Sequence, residues 1–195
     1  MFSISPGTEA LRPDLILRGR DVVLRRFTTD DITPRYLSWL SDPETNEHSQ
    51  RHGQAPTSAE SARHYLSNLS PEEMILAIEL ESEGHVGNIK FGPVDRRNSR
   101  SDISILIGEK AVWGRGVGKR AVYLVSRFLF EEVALHRLDA GSGNPAFIAM
   151  VERLGWCREG VLRQRVRIGE RLVDWVLLAQ LREEFRRRPE LETPS

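Results

Sequence analysis

Apolar side chains recur along this chain in two rhythms. Short runs that alternate, or that are continuously apolar and β-branched, predict strands at residues 22–24, 74–80, 86–91, 102–108, 135–141, 161–168 and 172–178. Spacings of three and four predict helices. Tyr36, Leu37, Trp39 and Leu40 follow the capping candidates Thr29, Asp30 and Asp31 and stop at Asp42-Pro43. Thr57 and Glu60 have capping-box spacing ahead of Ala62, Tyr65, Leu66 and Leu69, and Ser70-Pro71 ends that run. The longest helix carries Ala121, Val122, Leu124, Val125, Phe128, Leu129 and Val133. A shorter one follows Asn144, a good N-cap, with Pro145 in its first turn and Gly155 as a left-handed stop. Polar turns at 81–85 and Gly169-Glu170 join two pairs of strands into hairpins. The order is strand, two helices, three strands, helix, strand, helix, two strands. It predicts one α+β domain over residues 1–195, with about 1–14 and 183–195 loose.

Charge narrows the function. The 28 basic and 28 acidic residues cancel, which removes any general attraction to nucleic acid or anionic membrane. No apolar stretch is long enough to span a bilayer, and the first twenty residues lack a signal peptide's basic start and apolar core, so a cytoplasmic setting is expected. The single cysteine, Cys157, excludes an internal disulfide; with no activating His-Asp constellation near it, it reads as a small buried side chain. Five scattered histidines without ligand spacing predict no metal site, and His48 with His52 falls in a loop broken by Gly53 and Pro56.

The junction between the strand ending at Gly108 and the long helix carries the chemistry. Val112-Trp113-Gly114-Arg115-Gly116-Val117-Gly118-Lys119-Arg120 puts three glycines just before the helix, where backbone can approach a diphosphate and unpaired N–H groups point at it. A nucleotide-triphosphate loop is excluded, because Trp113 and Arg120 stand where it needs a glycine and a Ser or Thr. A dinucleotide fingerprint fails at Lys119, where its third glycine belongs. The segment resembles instead the signature of the GNAT superfamily of N-acetyltransferases: Gln or Arg, two residues, Gly, one residue, Gly or Ala. Gly116 and Gly118 fill the small positions, and Trp113 in the leading place is similar to the RimJ/RimL-like branch. Asn144, Glu152, Arg153, Gly155 and Trp156 match the family's later half in spacing.

That resemblance covers about residues 15–181. It implies the GNAT fold, a mixed and mostly antiparallel sheet with helices on both faces, and acetyl-CoA as donor cosubstrate lying between two splayed central strands. By position it assigns the pantetheine arm to the backbone of Leu106, Ile107 and Gly108. The diphosphate falls to Arg115, Gly116, Val117, Gly118, Lys119 and Arg120, and a further arm contact to Asn144, which otherwise serves only as a helix cap. Asp102 falls where histone-acetylating members carry a general-base Glu; the other reading pairs it with Arg96, Arg97 or Arg100. A carboxylate of ordinary pKa, about 4, is a poor base at neutral pH, so catalysis needs partial burial or ordered water. Glu109 is a second candidate base. Many members place a proton-donating Tyr where this chain has Val151, leaving Tyr123, Ser142 or water for that task.

The resemblance implies a primary amine as acceptor, taken by direct transfer in a ternary complex. The runs 36–43, 87–92 and 172–174 resemble enzymes that acetylate amino sugars on nucleotide carriers, while the RimJ/RimL likeness implies a protein N-terminal amine. An acyl-CoA-binding sensor without turnover is the third reading. Alternating Arg163, Arg165 and Arg167 share one strand face and read an anion if that face lines the cleft. His48, Gln50, Arg51 and His52 fall where the family shapes its acceptor pocket. Exposed strand edges allow a homodimer.

Overall fold

The computed structural model describes residues 11, 14–48 and 58–192. Eight strands form one sheet in the order β1-β2-β3-β4-β5-β6-β8-β7. They are β1 (Ile16–Arg18), β2 (Val22–Arg26), β3 (Met74–Leu80), β4 (Gly84–Phe91), β5 (Arg100–Ile107), β6 (Arg137–Ser142), β7 (Cys157–Ile168) and β8 (Arg171–Leu181). Neighbours run antiparallel except β5 and β6, which are parallel and pair only from Arg100–Asp102 to Arg137–Asp139.

The helices are α1 (Pro34–Ser41), α2 (Ala59–Ser67), α3 (Val117–Glu131), α4 (Pro145–Glu152) and the short α5 (Pro189–Glu192). Residues opposite each other across neighbouring strands share a face, so the register sorts the core. Ile75, Ala77 and Phe27 gather Tyr36 and Trp39 of α1 and Ala62 of α2 on one face. On the other, Leu76, Ile89, Phe91, Ile103 and Leu138 pack under Ala121, Leu124, Val125 and Phe128 of α3. Each side chain of this size, fully buried, contributes roughly 1.5–3 kcal/mol.

Four features depart from the sequence reading. Ile16–Arg18 is a strand, hairpinned onto β2, although Ile16 is half exposed. Helix α2 is capped by Ser58, whose hydroxyl accepts from Ser61 N, one residue after Thr57, which lies outside the described residues. The tail expected to be loose from residue 183 is docked. Leu191 is buried, Phe185 stacks on Tyr123 at 5.6 Å, and Glu192 bonds the Tyr123 hydroxyl and Arg127. Cys157 is exposed, at the start of an edge strand. Of the N-terminal stretch, residues 1–10, 12 and 13 lie outside the description.

Candidate functional site

Beyond Asp102 and Asp139 the two parallel strands part. β5 stays with β4 through Ile103–Ile107, whereas Ala140–Ser142 of β6 turn to β8. A fork opens in the middle of the sheet, with Asp102 and Asp139 at its crotch. Backbone groups along a strand point alternately to either side. Gly92 N donates to Asp102 O and Gly108 N to Val86 O, so Asp102, Ser104, Leu106 and Gly108 turn their backbone toward β4. The free edge inside the fork belongs to Ile103, Ile105 and Ile107. Sequence reasoning chose Leu106, Ile107 and Gly108; of these only Ile107 keeps its backbone on the edge, and its carbonyl accepts from Trp113 Nε1 at 2.9 Å. Counting parity from Asp102 would have selected the isoleucines. Gly108 is needed for another reason, since a Cβ there would lie 2.0 Å from the Trp39 ring.

The glycine turn closes the open end of the fork. Gly114 and Gly116 have φ of 76°, a conformation other residues reach only with strain, and Gly116 is the N-cap of α3. Arg120 N bonds Gly116 O, so the N–H groups of Val117, Gly118 and Lys119 belong to the first turn and have no helical acceptor. Gly118 faces the fork: a Cβ would stand 3.4 Å from Met150 Sδ of α4 and 3.7 Å from Ile105 Cδ1 of β5. The helix N-terminus thus adjoins the β5 edge, a path suited to a diphosphate bearing a long flexible arm.

Two of the three basic residues beside the turn are engaged by the protein itself. Arg115 Nη1 lies 2.5 Å from Glu83 Oε1. Arg120 lies 2.7 Å from Asp21 and donates to Arg115 O at 2.9 Å, bracing the turn from below. Lys119 makes no ion pair with a described residue, so it is the cation left for a phosphate. Asn144 spends its Oδ1 on Ala146 N and Phe147 N as the cap of α4, leaving its amide nitrogen to meet a ligand.

At the crotch, none of the three expected arginines binds Asp102, and Arg97 makes no ion pair with any described residue. Arg96 pairs with Glu72, and Arg100 lies 3.5 Å from Asp95 and 3.4 Å from Asp139. Arg137 binds Asp139 at 2.6 Å and also Glu159. Among the described residues the Asp102 carboxylate has no hydrogen bond or ion pair. Desolvation and then the charge of Asp139 push its pKa above the usual carboxylate range, against the pull of Arg100 and Arg137. The residue nevertheless keeps open surface for a ligand. Glu109, the second candidate, is bound by Arg35 at 2.6 Å, which holds its carboxyl below the ordinary range.

Among the candidate proton donors, Tyr123 is ruled out by position. Its hydroxyl is buried against α5, bonded to Glu192 and to Arg188 N, and burial pushes its pKa up to about 12. Val151 is wholly buried in the core. Ser142, at the end of β6, accepts from Asn144 N and stays within reach of the fork.

The face opposite α3 and α4 is walled by α1, α2 and the β7–β8 hairpin. Trp175 lies over bare Gly141 on the β6 arm, where a Cβ would stand 2.1 Å from the indole nitrogen. Lys90 is bound to Glu73 at 2.6 Å and to the Tyr65 hydroxyl at 3.0 Å. At the hairpin tip Arg171 lies 3.4 Å from Glu47 after α1. A bulge interrupts β7 between Leu162 and Val166, with Gln164 at φ 52° and its N–H on Asp174. The bulge breaks the expected alternation: Arg163 and Arg165 lie within it, and Arg167 pairs with Leu172, which faces α4. Of the acceptor-loop residues, His48 lies 3.9 Å from Glu47, while Gln50, Arg51 and His52 are outside the described residues.

A forked sheet with a glycine turn and helix N-terminus at its mouth defines an acyl-CoA-dependent transferase. The chain belongs to the acetyltransferase (GNAT) domain family, whose model matches residues 21–156, and it is an acetyl-CoA-dependent N-acetyltransferase. It is 27% identical over 170 residues to the SPbeta prophage-derived uncharacterized N-acetyltransferase YokL of Bacillus subtilis (strain 168), covering 86% of this chain and 93% of that protein. Among solved structures, RimJ of Mycobacterium smegmatis in complex with CoA-disulfide superposes with a TM-score of 0.79 at 20% identity, over 94% of this chain and 98% of that one. Spermidine N-acetyltransferase of Vibrio cholerae, in complex with CoA and spermine, gives 0.73 at 15% identity, over 84% and 97%. At these identities the two structures speak for the fold. No described helix is long and apolar enough to cross a membrane, and no metal-binding cluster occurs among the described residues.

Proposed function

We propose that the chain transfers acetyl directly to the primary amine of a small molecule, with a nucleotide-linked amino sugar as the leading acceptor. The unpaired Asp102 carboxylate at the crotch of the fork carries this reading. Acetyl-CoA supplies an activated acyl group. Val117, Gly118 and Lys119 hold its diphosphate with backbone N–H groups and one ammonium, and the free edge of Ile103, Ile105 and Ile107 aligns its arm. Edge N–H groups polarise the carbonyl under attack. Asp102 takes one proton from the acceptor ammonium, which frees the nitrogen lone pair to form the C–N bond as the C–S bond breaks. The second proton lost from nitrogen ends on the sulfur, so one amide, one thiol and one released proton balance the exchange.

Support for a nucleotide carrier comes from the likeness of runs 36–43, 87–92 and 172–174, and from the exposed guanidiniums of Arg163, Arg165 and Arg171 around the bulged hairpin. Trp113, which braces Ile107 O, supports the RimJ/RimL-like branch. The test is thiol release from acetyl-CoA with nucleotide-linked amino sugars, free amino sugars, polyamines and short peptides. Release with the first class supports the reading. Release with peptides alone replaces it with N-terminal protein acetylation, and acetyl-CoA binding without release to any class replaces it with a sensor. Free edges at β1 and β7 leave room for a homodimer, which sedimentation would detect.

A further inference from the structure

Two carboxylates in register on adjacent parallel strands repel, and the structure resolves the conflict unequally. Asp139 receives Arg137 through Nε at 2.7 Å and Nη2 at 2.6 Å, and Arg100 through Nη1 at 3.4 Å. Asp102, its partner in the ladder, receives neither. Among the described residues, three cations around the crotch have partners other than Asp102. Arg100 reaches back to Asp95, Arg137 reaches across to Glu159 on β7, and Lys90, next along the same face on β4, is held by Glu73 and Tyr65. One member of the pair is saturated with cations and the other is left bare.

We propose that Asp139 is a positioning residue for acetyl transfer: it keeps Arg137 and Arg100 on its own carboxylate and so leaves Asp102 without a cationic partner, free to take the acceptor's proton. The inference rests on Asp102 being that proton acceptor. A role as a simple strand staple does not account for Asp139, because Glu159 already holds Arg137 across the sheet. With a guanidinium on Asp102 instead, the carboxylate would be stabilised in its charged form and would be a weaker base. The raised proton affinity of Asp102 agrees with the arrangement.

Asp139→Asn keeps the shape and removes the charge. Carbon-13 carboxyl titration of the whole protein, with the Asp102 resonance assigned by its loss in Asp102→Asn, reads the consequence independently of turnover. In Asp139→Asn the Asp102 resonance is expected to titrate at lower pH by about one pH unit, and the acid limb of kcat/KM to move the same way. If that variant does not fold, Arg100→Gln removes a cation near Asp102 and the titration is expected to move upward. A resonance that titrates at the same pH in whichever variant folds overturns the inference, even if Asp102→Asn is inactive. Wild-type turnover in Asp102→Asn overturns the proton-acceptor reading beneath it, whatever the titration shows.

Discussion

Gly118 separates what the fold needs from what the cofactor needs. It sits in the first turn of α3, and a Cβ there would meet Met150 Sδ at 3.4 Å, Ile105 Cδ1 at 3.7 Å and Ile107 Cγ1 at 3.8 Å, all ordinary contacts. Gly118→Ala should therefore fit without strain. Replacing glycine by alanine within a helix gains about 0.5–1 kcal/mol, and the lower figure suits a first turn. For a chain of this size that raises Tm by roughly 1–2 °C. Gly118→Leu adds three more carbons beyond a Cβ already in contact with Met150, Ile105 and Ile107, so those side chains must shift, at a cost of about 1–3 kcal/mol that Tm reads separately. Those carbons would occupy the path assigned to the arm of acetyl-CoA. Calorimetric titration should show Kd for acetyl-CoA weakened at least ~100-fold in the leucine variant, about 2.7 kcal/mol. The alanine variant, which the family signature admits, should bind within a few-fold of wild type. Unchanged affinity in Gly118→Leu would refute the path of the arm, and a lowered Tm in Gly118→Ala would refute the packing argument.

Two predictions concern stability away from that path. Asp31 is buried under Arg25, with Nη2 at 2.6 Å, and accepts from Thr28 N at 2.8 Å. Burial works to raise its pKa, but the Arg25 and Thr28 hydrogen bonds outweigh it and hold the value below the ordinary range. Its contribution is thus complete above pH ~4 and fades as pH falls through the lowered value, so Asp31→Asn should cost about 2 kcal/mol in urea unfolding at pH 7 and progressively less in acid. An undiminished difference at the lowest pH that keeps the chain folded would contradict this. Tyr123→Phe strips the tail of its anchors to Glu192 and Arg188 N, and should lower Tm by roughly 4–8 °C, for about 2 kcal/mol, while leaving acetyl-CoA affinity unchanged. An unchanged Tm would mean that Leu191 and Phe185 alone hold the tail.

Most of the layout was legible because it rests on local signals. The glycine turn, the α3 stripe and the Asn144-Pro145 start of α4 each declare themselves within a few residues. What stayed hidden depends on partners far along the chain. Three residues with an exposed isoleucine make a strand at 16–18 only because β2 offers an edge. Four residues at 189–192 form a helix because Glu192 and Leu191 find Tyr123, Arg127 and the core. The alternation of Arg163, Arg165 and Arg167 was real in sequence, yet the Asp174 carboxylate stabilises a bulge between them that no local pattern announces. At the site, Asp102 was a candidate by position, but its lack of a partner became visible only once β6 brought Asp139 beside it and drew the arginines away.

The fork also bears on how this chain avoids sticking to its neighbours. An unpaired strand edge flanked by isoleucines is normally an invitation to intermolecular pairing. Here that edge lies inside the sheet, between β6 and the α3–α4 layer, where a slender single arm can slide along it but another protein's strand, with side chains on both faces, meets Met150 on one side and Trp175 on the other. The edge that would align the donor is by the same topology kept inside the sheet, away from the rim where fibres are seeded.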